Sequence, residues 1–237
     1  MIKKWFSIFM PRTIIDSLIL IKNNYFDGYA IKSYSQEGED MILRRMFENQ
    51  SNGFYVDVGA HHPKRFSNTH FFYKKGWNGI NIEAMVGSKG LFEKMRPRDI
   101  NIEKAVSNEN ETLTYYIFNE PALNGFSKDL SNMRNEGTEY YVTKKIMLQT
   151  TTLEAILDKY LPENQLIDFL SIDVEGLELK VLLSNNWEIY RPLIVLVEVL
   201  NASIEDIQNK EIYLFLKAHG YFAFAKTINT VIFRRLN

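Results

Sequence analysis

The chain has 237 residues, which suits one α/β domain with a modest extension, and 46% hydrophobic against 24% charged residues describes a packed globular protein. A formal net charge of -1 lacks the basic excess that a phosphate backbone demands, which speaks against a nucleic-acid partner. The absence of cysteine excludes disulfides, thiolate metal sites and cysteine nucleophiles.

The opening MIKKWFSIFM joins two lysines to an apolar run, but Pro11, Arg12 and Asp16 interrupt it and no small-residue cleavage site follows. No window is apolar for long enough to predict a membrane span. Ile14, Ile15, Leu18, Ile19 and Ile21 fall largely on one helical face. A helical extension over residues 1–34 is expected, with that face packed on a single domain spanning 35–237. A membrane-surface or homodimer contact is the alternative. Helical character continues to about Phe47.

Phe54 to Val58 reads as a short apolar strand ending in a glycine turn. A helix over Thr69 to Lys75 is closed by Gly76, and Gly79 to Glu83 is a second strand. Gly87 to Met95 is helical, Ile100 to Val106 a third strand, and Leu113 to Phe118 β-rich. The polar stretch Asn119 to Thr138 is too long for an ordinary connection and is either a functional lid or a disordered insert. Ile146 to Thr150 is a strand, Thr152 to Tyr160 a helix, Leu166 to Val174 a buried strand and Leu177 to Leu183 the helix after it. Leu193 to Leu200 is almost purely apolar, as in a central parallel strand. Ser203 is expected to cap a helix running to about Ala218, before strands Tyr221 to Lys226 and Thr230 to Arg234.

Strands alternating with helices predict a mainly parallel, Rossmann-like sheet. The last two strands are separated only by Thr227-Ile228-Asn229, a length that makes an antiparallel hairpin. A parallel sheet closed by such a hairpin is the class I methyltransferase arrangement.

In doubly wound sheets, ligands bind beyond the carboxyl ends of the strands. The first strand ends Asp57-Val58-Gly59-Ala60, where glycine lets the backbone approach a ligand. The second ends at Glu83, at the spacing where nucleotide-binding folds place a ribose-binding carboxylate. The three-glycine turn of dinucleotide sites is missing, which counts against a nicotinamide-dependent oxidoreductase. The fourth strand carries Ser171-Ile172-Asp173-Val174-Glu175-Gly176, and alternation points Asp173 and Glu175 to one side. Glu198 interrupts the apolar run of the fifth. His61 and His62 follow the first turn. Either histidine with Asp173 and Glu198 is a candidate nitrogen/oxygen site for a divalent ion.

At these residues the sequence resembles the FkbM family of methyltransferases. The resemblance rests on SQEGED (Ser35 to Asp40), FYVDVGAHHPKRFSNTHFFYKKGWNGINIEA (Phe54 to Ala84), KAVS (Lys104 to Ser107), LSIDVEGLELKVL (Leu170 to Leu182) and the hairpin FAKTINTVIFRR. It implies an S-adenosyl-L-methionine cofactor, contacted by Gln36, Asp57, Gly59, Glu83, Ser107 and Asp173 together with Ala60 and Ala84. It also implies O-methylation, with a sugar hydroxyl of a surface-polysaccharide precursor as the preferred acceptor and a cytoplasmic or inner-membrane-peripheral location. A non-sugar metabolite, or a cofactor-binding domain without catalysis, is the alternative. Candidate proton-handling residues are Asp173, His61, His62, Glu175 and Glu198, because a hydroxyl acceptor must lose a proton. Lys128 and Arg134 in the polar stretch are candidates to meet the diphosphate of a nucleotide-linked sugar.

Overall fold

The computed structural model describes residues 10–136 and 138–236. Residues 1–9 of the expected helical extension, and Gly137 in the polar stretch, lie outside the described residues. The chain divides into two compact units between Ser33 and Tyr34. The first holds helix α1 (Arg12–Tyr25). None of its residues is buried. No described helix is long and apolar enough to cross a membrane.

The second unit runs α2 (Glu39–Met46), β1 (Phe54–Val58), α3 (His70–Lys75), β2 (Asn78–Glu83), α4 (Ser88–Met95), β3 (Ile100–Glu103) and β4 (Ala105–Val106). It continues β5 (Thr112–Phe118), α5 (Lys128–Asn135), β6 (Val142–Thr151), α6 (Leu153–Tyr160), β7 (Phe169–Ile172), α7 (Glu178–Leu183), β8 (Ile194–Glu198), α8 (Glu211–Ala218), β9 (Tyr221–Lys226) and β10 (Thr230–Arg235). Seven strands form the main sheet in the order β3-β2-β1-β7-β8-β10-β9. The first five are parallel, and β10 runs antiparallel to both its neighbours. This is the class I methyltransferase arrangement expected from the helix-strand alternation and the short hairpin.

Side-chain alternation divides the core between the two sheet faces. Val56, Val58, Leu170, Ile172, Val195 and Val197 pack in one cluster with Leu153, Leu157, Val181 and Leu216 from α6, α7 and α8. Tyr55, Phe169, Leu196 and Ile232 pack in the other with Leu43 and Phe72 from α2 and α3. Both faces are covered, which is why β1 and β7 are buried along their whole length.

Two expectations change and a third narrows. The strand expected over Ile100 to Val106 breaks at Lys104: β3 pairs with β2, whereas β4 leaves to pair with β6 in a second sheet ordered β4-β6-β5. The helix expected from Ser203 starts only at Glu211. Ser203 Oγ instead accepts from Asp206 N and donates to its carboxylate, a local turn that competes with the helix. The polar stretch Asn119 to Thr138 is not a disordered insert in its described residues, which leaves the lid reading standing. It forms a 3-10 turn (Pro121–Leu123) and α5, which Ser127 caps by accepting from Leu130 N.

Candidate active site

The strand order reverses between β1 and β7, and the loops at their carboxyl ends are stitched together. Asp173 N donates to Val58 O at 3.0 Å, and Gly59 N and Ala60 N donate to Ile82 O of β2 at 2.9 and 3.1 Å. Gly59 has φ of 80°, and a Cβ there would lie 1.6 Å from the Asp173 carbonyl oxygen. Only glycine permits this approach. Glu83 holds the same loop from the other side, its two carboxylate oxygens accepting from His61 N (2.7 Å) and Met85 N (2.8 Å). Each oxygen keeps a further lone pair for a ligand hydroxyl.

A cleft opens over this junction. Gly59, Glu83, Ala84, Lys104 and Val106 line it on the sheet side, and Tyr115, Ala122, Asn124 and Phe126 form the opposite wall. The break at Lys104 therefore has a purpose: Lys104 N donates to Glu83 O, and the chain then turns away beside the cleft. The Tyr115 and Phe126 rings lie 4.8 Å apart. Burial and the nearby Glu83 push the Tyr115 phenol well above its ordinary range, so it stays a neutral donor. Tyr115 was missed in the sequence because LTYYIF carries only a β-strand signal.

Several expected cofactor residues do not line this cleft. Asp57 shares a sheet face with Tyr55, and its carboxylate is buried, accepting from Thr69 Oγ1 at 2.9 Å. Burial raises its pKa and the Arg96 guanidinium opposes this. Asp57 pairs in register with Asn81 and Ser171, and Asn81 with Asn101, so four polar side chains cross the sheet in one row. Arg96, fully buried, closes the network by donating to Asp99 (2.8 Å), Tyr55 (2.8 Å) and Thr69 (2.9 Å). Ala60 and Ser107 are also buried outside the cleft lining, and Ser107 Oγ donates to Glu111 at 2.9 Å.

A second hollow adjoins the first, sharing Gly59, His61, Ala122, Asp173 and Glu175 with it and adding Gln36, Phe66, Arg134, Glu198 and Asn229. Glu175 reaches it by a left-handed backbone (φ 56°) beyond the end of β7, not by the strand alternation expected. Glu178, which looks in sequence like an ordinary first-turn helix acid, holds that turn by accepting from Val174 N and Gly176 N. One carboxylate oxygen each of Asp173, Glu175 and Glu198 lie within 4.8 Å of one another. No histidine joins this group among the described residues; Glu175 stands with Asp173 and Glu198 where a histidine was expected. Arg134 of α5 donates to Glu175 at 2.6 Å, so it neutralises part of the cluster and is not a free phosphate ligand.

Enclosure and neighbouring carboxylate charge raise the pKa of all three acids, against which Arg134 acts at Glu175. Enclosure by protein, with the charges of Glu175 and Glu178 beside it, raises the Asp173 pKa, and its side chain is still reached by solvent through the hollow. Burial, with Asp173 and Glu175 beside it, pushes Glu198 up to about 10, and its Oε2 is buried without a protein partner. His61 is lowered to about 4 by burial and by Arg65, so it is neutral near pH 7, and its buried Nε2 has no protein partner. His62 lines neither hollow. Its Nδ1 accepts from Lys64 N and Arg65 N at 3.0 Å each, which makes it a turn cap.

The SQEGED segment works mainly as a clamp. Glu37 accepts from Thr227 Oγ1 (2.8 Å), Asn229 N (2.8 Å) and Asn229 Nδ2 (2.7 Å), tying the β9–β10 turn to the rim of the hollow. Asp40 accepts from Tyr34 N and Ser35 Oγ. Gln36 lies between them against the second hollow.

The sequence profile of the Methyltransferase FkbM domain matches residues 57–223, more than half of the chain. The chain belongs to the FkbM methyltransferase family. Both walls of the β1–β7 junction, and the carboxylate cluster, fall within the matched part of this FkbM methyltransferase. No curated protein matches the chain significantly. Among solved structures it is similar to the precorrin-6y C5,15-methyltransferase from Geobacter metallireducens GS-15, at 12% identity over 86% of this chain and 90% of that one, with a TM-score of 0.38. The strand order itself, and not that likeness, carries the fold assignment of the FkbM methyltransferase.

Proposed function

We propose that the chain is an S-adenosyl-L-methionine-dependent O-methyltransferase acting on a sugar hydroxyl, in the cytoplasmic synthesis of a surface polysaccharide. The observation that carries this is the pair of adjoining hollows with Gly59, His61, Asp173 and Glu175 as their common wall. A donor in the cleft beside Glu83 and an acceptor in the second hollow would meet there, which supplies the alignment that an in-line transfer needs. The residues fit the cofactor: Glu83 offers lone pairs to ribose hydroxyls, Val106 and the Tyr115–Phe126 pair offer apolar walls to the adenine, and Gly59 leaves space beside the strand end. When bound, the cofactor supplies an already activated methyl group.

The chain's own residues handle the acceptor proton. Asp173 and Glu198 share a crowded site in which one proton is retained near neutral pH. The ionised partner, made more basic by enclosure and neighbouring charge, accepts the hydroxyl proton. Neutral His61 hydrogen-bonds the acceptor through its unpartnered Nε2. Arg134 holds Glu175 in place and limits the repulsion. A polyhydroxylated acceptor suits a hollow lined by Gln36, His61 and Asn229.

A divalent cation held by Asp173, Glu175 and Glu198 is the second reading, supported by the 4.8 Å spacing of their oxygens and the orphaned Oε2 of Glu198. One experiment addresses both. A panel of free sugars, nucleotide-linked sugars and polysaccharide precursors is incubated with methyl-labelled cofactor, with and without chelator, and products are read by mass spectrometry. Label on a sugar oxygen that Asp173→Asn abolishes, while S-adenosylhomocysteine still binds, is the expected result. Near-wild-type transfer by Asp173→Asn overturns the assignment, and loss of wild-type transfer in chelator selects the cation reading.

A further inference from the structure

We infer that the N-terminal unit docks on an anionic lipid bilayer, with α1 lying in the interface rather than crossing it. Ile14, Leu18, Ile21 and Tyr25 stand at i, i+4, i+7 and i+11 and so form one stripe along the helix. All four are exposed, from 47% at Ile14 to 79% at Tyr25. The apolar surface continues past the helix in Phe26, Tyr29 and Ile31, each more than 60% exposed. A run of exposed large apolar side chains of this kind marks a contact.

Length and charge choose the occupant. Fourteen helical residues span about 21 Å, short of the roughly 30 Å hydrocarbon core, so the helix is suited to lie on a bilayer and not to span one. Residues 1–33 carry Lys3, Lys4, Arg12, Lys22 and Lys32 against Asp16 and Asp27, five minus two, or +3. The whole chain is -1, so the remaining residues carry -4. The cationic excess is confined to the segment with the exposed apolar stripe. Lys22 flanks that stripe and Asp16 lies across the helix from it. The same segment holds Trp5, Phe6 and Phe9 in sequence, side chains that favour the headgroup region. Pairing two copies through this face would instead bring +3 against +3.

The test is co-sedimentation of the full chain with vesicles of phosphatidylglycerol and phosphatidylethanolamine, or of phosphatidylcholine alone. Binding to the anionic vesicles is expected to be at least tenfold tighter and to weaken with salt. Each cation removed in Arg12→Gln and Lys22→Gln is expected to cost about fivefold. Leu18→Glu with Ile21→Glu is expected to abolish sedimentation without changing the thermal unfolding of the chain. No sedimentation with either vesicle, or equal binding to both, overturns the inference. So does a dimer in sedimentation equilibrium that this double variant converts to monomer without any vesicle binding.

Discussion

Gly59→Ala tests whether the turn after β1 and the end of β7 act as one unit. Two costs combine. Alanine at a φ of 80° costs about 1–2 kcal/mol. Its Cβ would also lie 1.6 Å from the Asp173 carbonyl oxygen and 2.6 Å from the carbonyl carbon, and relief of such overpacking costs about 1–3 kcal/mol. The expected total is about 3 kcal/mol. Gly87→Ala is the matched control, because Gly87 has φ of 87° but nothing within 4 Å of the added atom. It retains only the conformational cost, about 1–2 kcal/mol. At about 2–4 °C per kcal/mol for a domain of this size, the two variants should melt about 10 °C and about 3 °C below wild type. Ordinary contact requires Asp173 to move by more than about 1 Å, and a displacement of that size costs about 100-fold in turnover. Urea and thermal unfolding by circular dichroism, with methyl-transfer kinetics, check both. If Gly59→Ala melts with Gly87→Ala and turns over like wild type, the close approach does not position Asp173.

Arg96→Met leaves the Asp99 carboxylate buried without its cation and should destabilise the chain by about 3–5 kcal/mol in urea unfolding, with a smaller loss when Asp99→Asn is added. The Glu198 pKa is raised from 4.5 to about 10, so its contribution to stability is full below about pH 4.5 and is lost as pH rises toward 10. Glu198→Gln should therefore gain stability relative to wild type between pH 5 and pH 9; a constant difference across that window would show that Glu198 titrates normally. Glu37→Gln removes the charge from three hydrogen bonds to the β9–β10 turn and should destabilise the chain by about 1–2 kcal/mol. It should also raise the acceptor KM several-fold with kcat and cofactor affinity nearly unchanged, and hydrogen exchange at the Asn229 amide should quicken; unchanged exchange would remove the clamp.

Much of the architecture is written in local patterns. Short apolar runs at 54–58, 79–83 and 193–200 read as strands covered on both sides, and the helical segments between strands favour parallel pairing. The three-residue gap at Thr227 to Asn229 is too short for anything but a hairpin. The glycine after Val58 and the acid ending the second strand mark the ligand end of the sheet, and the motif set points to the FkbM family.

Facing and convergence needed the folded chain. Alternation says that Asp57 and Tyr55 share a face, but the partners of that face, Arg96 and Thr69, come from other segments. Hence an acid expected at the cofactor proves to be part of a buried network. Lys104 ends β3 because the next two residues find their ladder on β6, some 45 positions later in the chain. Arg134 meets Glu175 across 41 residues, and Glu175 faces the hollow through a left-handed turn that no periodicity encodes. Sequence by itself determined the strands of the main sheet apart from the break at Lys104, their direction and the end of the sheet where a ligand is expected, because burial periodicity and loop length are local. Tertiary structure alone decided which acids converge on the hollow and which are buried, because those contacts depend on the pairing of distant segments.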